Sequence, residues 1–165
     1  MTHNKPIKYS KAQLIGMVSL RVLIGWYFLY EGVVKLFSAN WTSFPYLMDS
    51  KGWFAAFFIH LAETPTLLSV VDFINVYGLI LVGLSLILGC FAPLGKIAAA
   101  LFLIMFYLSH PPIIHATYLL PPEGSYLWVD KNLIMLSAVA VLILFPTSQI
   151  IGFDRYIKRY RQRKK

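Results

Sequence analysis

The sequence predicts an all-α integral membrane protein, a four-helix bundle with both termini in the cytoplasm. Of its 165 residues 58% are hydrophobic and 13% are charged, whereas roughly a quarter of the residues are charged in a typical soluble domain. Most of its apolar segments reach the ~20 residues that a helix needs to span hydrocarbon. We place four spans at residues 14–37, 67–90, 94–110 and 132–151.

The distribution of charge predicts the topology. If four spans alternate, eleven of the 15 Lys and Arg residues lie on the side of the two termini. By the positive-inside rule that side is cytoplasmic. The net charge of +8 is then a topology signal and a lipid anchor, so nucleic-acid binding is a poor interpretation of it. The termini-side residues are Lys5, Lys8, Lys11, Lys96, Arg155, Lys158, Arg159, Arg161, Arg163, Lys164 and Lys165.

The first apolar segment carries a polar face. At about 100° per residue, Arg21, Glu31 and Lys35 fall within about 80° of arc on a helix. Charges facing lipid are costly, so this face points into the bundle. A cleavable signal peptide is the alternative, but the charges, the length and the lack of a small-x-small site argue against it. We expect a retained first helix.

The loop after the first helix is rich in aromatic residues. Residues 53–62 are too short to span but long enough for an interfacial or re-entrant helix. Within it Phe54, Phe57, Phe58 and Leu61 are expected to form one apolar stripe. The loop is interpreted as an aromatic belt at the headgroups, or more specifically as a lid across the outer mouth of the bundle, and the two are compatible.

The second span carries Asp72 and Asn75 in its outer third. Asp72 lies at about the depth of Lys35, and we predict an ion pair between them, because charges in this setting pair or protonate. Gly78, Ser85 and Gly89 follow along the same side, where small residues allow close helix packing.

The remaining segments add fewer polar groups. His110 ends the third span and forms a His-x4-His pair with His115, but no third ligand supports a metal site. Asp130 is a candidate cap of the fourth helix, and Asn132 lies beside it. We treat residues 1–151 as one domain and residues 152–165 as a basic amphipathic tail on the inner leaflet.

These residue types suit a quinone. Its carbonyl oxygens need donors, for which Lys35 and Asn75 are candidates, and its reduction needs proton carriers, for which Glu31 or Asp72 are candidates. The same residues could instead be a structural ion-pair network. No haem or metal site is evident, and the single Cys90 excludes an internal dithiol, so a partner must bring the electrons.

The first helix resembles a known family. Its motif is Arg21-x3-Gly25-x2-Phe28-Leu29-x2-Gly32-x2-Lys35-Leu36, followed by a glycine-punctuated second helix and Lys131-Asn132-Leu133 at the fourth. This pattern is similar to the DoxX family of small four-helix membrane proteins of bacteria and archaea. The resemblance implies a membrane subunit of a redox complex in the bacterial plasma (inner) membrane, like the thiosulfate:quinone oxidoreductase subunits. It carries Arg21, Glu31 and Lys35 over as functional positions.

We therefore expect a quinone-binding redox subunit with a partner oxidoreductase at the outer face. The alternative is a non-catalytic membrane anchor or assembly factor, and solute transport is disfavoured because no inverted repeat or broken helix is seen. Membrane lipid is an expected partner, and homo-oligomerisation stays open. The predicted catalytic residues are Glu31, Lys35 and Asp72, and the predicted cofactor-binding residues are Arg21, Lys35, Asn75, His110 and Asn132.

Overall fold

The computed structural model describes residues 9–113, 118–119 and 127–163, and the regular structure in them is helical. One π-helical turn interrupts the second long helical segment and joins α4 to α5. The elements in order are α1 (Lys11–Phe37), α2 (Phe44–Met48), α3 (Ala55–Glu63), α4 (Pro65–Phe73), the π turn (Ile74–Gly78), α5 (Leu79–Leu88), α6 (Ala92–Ser109), α7 (Lys131–Leu144) and α8 (Asp154–Arg163).

Three helical segments of the described residues are long and apolar enough to cross a membrane. They are Lys11–Phe37, the continuous run Pro65–Leu88, and Ala92–Ser109. The prediction of spans is confirmed for these three.

The predicted fourth span, 132–151, is too long. α7 has 14 residues and ends at Leu144, because Phe145 precedes Pro146 and the residue before a proline is driven out of the helical region. At 1.5 Å per residue α7 covers about 21 Å, less than the ~30 Å of hydrocarbon. The start of α7 is as predicted, since the Asp130 carboxylate accepts a hydrogen bond from the backbone N–H of Leu133 at 2.8 Å.

Consecutive long helices run in opposite directions, with α1 packed against α5 and α6 against α7. We call the two ends of this bundle by the cations of α1 that lie there. At the Lys35 end α1 and α6 finish and α7 begins, and at the Arg21 end α5 finishes and α6 begins. α8 follows at the Arg21 end.

Glycines allow α1 and α5 to approach closely. A Cβ placed on Gly83 would lie 2.5 Å from the backbone nitrogen of Leu29 and 2.7 Å from the carbonyl oxygen of Gly25. No side chain fits there, because backbone atoms cannot move aside as a flexible side chain can. The small residues predicted to pack closely have other neighbours, because Gly78 and Ser85 lie against α6 and Gly89 lies against Gly152. The crossing with α1 instead uses Gly83, which the prediction did not name.

The buried core is a thin apolar strip between the long helices. Leu86 and Leu103 are fully buried there, beside Phe28. The outward faces are as apolar as the core, with Leu23 67% and Leu81 66% exposed. Apolar residues on the outside as well as the inside are typical of helices that contact lipid.

The aromatic loop folds into the two short helices α2 and α3. Phe58, with Ala62, packs on Leu47 of α2 and is buried, whereas Phe57 is 50% exposed. The four residues predicted to form one apolar stripe therefore lie in two environments. Phe58 and Leu61 pack in this small core, whereas Phe54 and Phe57 are about half exposed. A helix in this loop was predicted, and α3 is that helix.

Candidate functional site

A cavity of about 400 Å³ lies at the Lys35 end of the bundle. Its walls combine charged, amide and aromatic side chains from five parts of the chain. They are Tyr27, Glu31 and Lys35 of α1, Trp41, Thr42, Ser43, Pro45 and Tyr46 of the loop and α2, Asn75 of the π turn, Phe106 and His110 of α6 and its end, and Asp130, Lys131 and Asn132 at the start of α7.

Lys35 makes contacts with several side chains of the cavity wall. Its Nζ donates to the Asn75 Oδ1 at 2.8 Å and lies 3.9 Å from the Glu31 Oε2. The ammonium also lies over the rings of Trp41 at 5.2 Å and Phe106 at 5.7 Å. Amide oxygen, carboxylate and two ring faces together hold this cation, which is 17% exposed, away from bulk water.

The π turn positions Asn75. A π turn inserts one extra residue into a helix, and such turns occur frequently at functional sites. Ile74–Gly78 adopts this geometry within an otherwise continuous segment, and Asn75 is its second residue. The Asn75 side chain reaches α1 there, so the local irregularity of the second span builds the Lys35 contact.

The predicted Asp72–Lys35 ion pair is wrong. One carboxylate oxygen of Asp72 instead accepts from both the backbone N–H of Ser43, at 2.8 Å, and its hydroxyl. Asp72 is absent from the cavity wall, and Lys35 takes Glu31 as its carboxylate neighbour. The donors to Asp72 come from the loop after α1, and the sequence pattern of the second span gave no indication of them. Asp72 anchors Ser43, whose neighbours Trp41 and Tyr46 form the cavity wall.

His110 closes the cavity from α6. Its ring stacks on Tyr46 with 3.9 Å between centroids, and its Nδ1 lies 3.1 Å from the Ser109 hydroxyl. Burial lowers the pKa of His110, while Asp49, 3.9 Å from its Nε2, opposes that shift. Nε2 is buried and makes no hydrogen bond with the described residues. His115, the other half of the predicted His pair, lies outside the described residues.

The start of α7 contributes a small polar cluster. The Asn132 Nδ2 donates to the Asp130 Oδ2 at 2.8 Å, so one carboxylate both caps α7 and orients the amide. The Lys131 ammonium lies 5.1 Å from the centroid of the Tyr27 ring. Asn132 is therefore in the cavity wall, as predicted, but held by Asp130.

Arg21 belongs to the other end of the molecule. Its guanidinium donates to the carbonyl oxygen of Ile151 at 2.9 Å and to the Thr147 hydroxyl at 3.3 Å. The side chain is 3% exposed and is not part of the cavity. Arg21 was predicted as a cofactor-binding residue, but its contacts are with the polar segment that follows α7.

Several residues of the cavity wall were not among the predicted site residues. Trp41 and Tyr46 were assigned to the aromatic loop in general, and only the lid interpretation would have placed them at the cavity. Tyr27 could have been found from helical spacing, since it lies four residues before Glu31 and therefore on the same face. Within the described part of the chain, no group of three or more His, Cys, Asp or Glu side chains is arranged to hold a metal ion.

These features define a class: a small helical membrane protein with a polar cavity, walled by aromatic rings, at one end of its bundle. A family model named DoxX matches residues 16–111. The chain belongs to the DoxX family, as its first-helix motif predicted. Searches of curated proteins and of solved structures gave no match.

Proposed function

We propose that this DoxX protein binds the headgroup of a quinone in the cavity at the Lys35 end and serves as the membrane subunit of a redox complex. The observation that carries the proposal is the pairing of Lys35 with Asn75 beside aromatic rings. It puts an ammonium and an amide next to ring faces in one cavity.

The donor set fits a quinone. Asn75 accepts from Lys35 through its amide oxygen, which leaves its amide nitrogen to donate to a ligand carbonyl. The Lys35 ammonium has three protons, and its contact with Asn75 uses one of them. The volume of about 400 Å³ lies within the ~300–1,000 Å³ of typical ligand pockets.

Side chains of the cavity wall supply the protons for quinone reduction in this proposal. A bound quinone takes up two electrons and two protons when it becomes a quinol. Glu31, whose side chain is 41% exposed, can exchange protons with water, and His110 contributes an imidazole from the end of α6. Asp72 supports this site indirectly, through Ser43 and the loop, instead of touching the ligand.

The electrons come from a partner oxidoreductase in this proposal. The chain has a single cysteine, Cys90, so it holds no dithiol of its own. The partner docks at the Lys35 end, where α2 and α3 cover the bundle, and that end faces outward in the predicted topology, in which both termini are cytoplasmic.

A direct binding measurement tests the proposal. The purified protein in detergent is titrated with a short-chain quinone, and quenching of tryptophan fluorescence reports binding, because Trp41 is in the wall. Replacing Lys35 by Met removes a charged donor worth about 1.5–3 kcal/mol, so the dissociation constant of Lys35→Met should rise about 10- to 100-fold. Lys11→Met, a cation of the same helix outside the cavity wall, is the matched control and should bind as the wild type does.

Absence of quinone binding by the wild type, or equal binding by Lys35→Met, would overturn this function. The second candidate is then a non-catalytic anchor or assembly factor, favoured by the bonds that Lys35 makes between α1 and the π turn. In that case Lys35→Met should lower stability, and the double variant Lys35→Met, Asn75→Leu should recover part of it, because both polar partners are removed together.

A further inference from the structure

A second depression, of about 340 Å³, lies at the Arg21 end between the end of α5 and the start of α8. We call it the α8 groove. Its walls are formed by the apolar residues Leu88, Ile150, Ile151, Phe153 and Tyr156, together with Gly152 and Arg155. It shares no residue with the cavity at the Lys35 end.

The α8 groove is built into the fold. The backbone N–H of Phe153 donates to the Leu88 carbonyl at 3.2 Å, and that of Asp154 donates to the Gly89 carbonyl at 2.9 Å. Gly89 and Gly152 allow this approach, since a Cβ on Gly89 would lie 2.9 Å from the Gly152 Cα. The junction between α7 and α8 is thus fixed to the end of α5, and the groove has a defined shape.

Charge at the groove is positive. Asp154, the acidic residue of α8, binds the start of α6 instead of the cations of α8. Its two carboxylate oxygens accept hydrogen bonds from the backbone N–H groups of Phe91 and Ala92 at 2.8 and 3.1 Å. It neutralises the start of α6 and leaves the cations of α8 without an acidic partner on that helix. Arg155 lines the groove and is exposed, and Lys158 and Arg159 follow on the exposed surface.

The groove also lies at a characteristic depth. Leu88 is the last residue of the membrane-capable segment Pro65–Leu88, so the groove spans the boundary between hydrocarbon and headgroups. A wall of apolar residues with one arginine matches a lipid with an acyl chain and an anionic phosphate. Arginine binds phosphate through a planar pair of N–H donors, and basic amphipathic helices bind anionic leaflets.

We propose that the α8 groove is a binding site for one anionic phospholipid, with the phosphate on Arg155 and an acyl chain along Leu88 and Ile150. This proposal is more specific than a general attraction of the basic helix α8 to an anionic membrane surface. It is a site with a stoichiometry of one, and it does not depend on quinone binding at the other end.

Native mass spectrometry of the purified protein tests the proposal. The protein in a neutral detergent is titrated with phosphatidylglycerol, and separately with phosphatidylcholine of the same acyl chains. We expect one phosphatidylglycerol to bind at saturation, with at least tenfold preference over phosphatidylcholine. Arg155→Gln should weaken phosphatidylglycerol binding at least tenfold.

Arg159→Gln is the matched control, because it removes the same charge from the same helix outside the groove wall, and it should change the affinity less than twofold. Ile150→Trp fills the groove without changing charge, and it should also weaken binding. Equal losses in Arg155→Gln and Arg159→Gln would show diffuse attraction to the helix and overturn the site. So would equal binding of the two lipids, or unchanged binding in Ile150→Trp.

Discussion

Each end of the bundle contains a cation of α1, buried in the case of Arg21 and half-buried in the case of Lys35, and the two cations have different surroundings. Arg21 and Lys35 lie fourteen residues apart on α1, about 21 Å along the axis at 1.5 Å per residue. At the Arg21 end, a backbone carbonyl and a hydroxyl take up the guanidinium donors. At the Lys35 end the ammonium faces a cavity of about 400 Å³.

The neighbours of a charged residue in a membrane helix indicate its role. A cation in hydrocarbon must be paired or solvated, but that requirement does not distinguish a structural residue from a binding residue. The neighbours do, because Arg21 meets the chain that closes the fold at Ile151, whereas Lys35 meets open volume. We therefore propose that Arg21 contributes to stability and that Lys35 contributes to ligand binding.

The largest expected effect follows from Arg21. In Arg21→Met the buried Thr147 hydroxyl and the partly buried Ile151 carbonyl lose their donor, at about 1–3 kcal/mol for each unsatisfied group. The free energy of unfolding in mixed micelles should fall by about 2–4 kcal/mol, while quinone affinity of the folded fraction stays unchanged. Lys35→Met should lose less stability than Arg21→Met. If Lys35→Met were the less stable of the two, the assignment of the two ends would be reversed.

A smaller effect is expected where the two ends are connected, at the crossing of α1 and α5. Gly83→Ala places a methyl group against backbone atoms of Leu29 and Gly25, and such overpacking costs about 1–3 kcal/mol. Because this crossing lies between Arg21 and Lys35, the variant should lower both unfolding free energy and quinone affinity.

Gly16→Ala is the control for this crossing. A Cβ at Gly16 meets nothing within 4 Å, and alanine is favoured over glycine in a helix by up to about 1 kcal/mol. The same chemical change should therefore stabilise at Gly16 and destabilise at Gly83, as measured by chemical unfolding. A loss of stability in both would show that the crossing is not the cause.

Helical periodicity was enough to predict the α1 side of the cavity. Glu31 and Lys35 are one turn apart, and two charges on one face of an apolar helix must point inward, so their neighbourhood followed from the sequence. The motif also predicted the family. Capping chemistry likewise predicted Asp130 at the start of α7.

Long-range contacts and local irregularity were beyond such reasoning. Asp72 finds its partner Ser43 across 29 residues of chain, in a loop whose path no periodic pattern records. The π turn changes the helical register near Asn75, so residue spacing alone misassigned the partner of Lys35. The end of α7, in contrast, could have been predicted, because Pro146 ends a helix. The predicted span continued past this proline because hydropathy alone was used to place it.

The smallest expected effect is a pH response confined to the Lys35 end. Burial lowers the pKa of His110 below its ordinary value, and the positive charge of Lys51 lowers it further, whereas the negative charge of Asp49 raises it. The folded protein then favours the neutral imidazole, so stability is full above the unfolded pKa near 6.5 and falls as the pH drops below it. His110→Gln should therefore flatten the loss of Tm between pH 7.5 and 5.5, whereas His60→Gln, an exposed histidine of α3, should leave it unchanged. Loss of the slope in His60→Gln instead would place the titrating group in α3, and an undiminished slope in His110→Gln would mean that the stacked pair of His110 and Tyr46 does not sense pH.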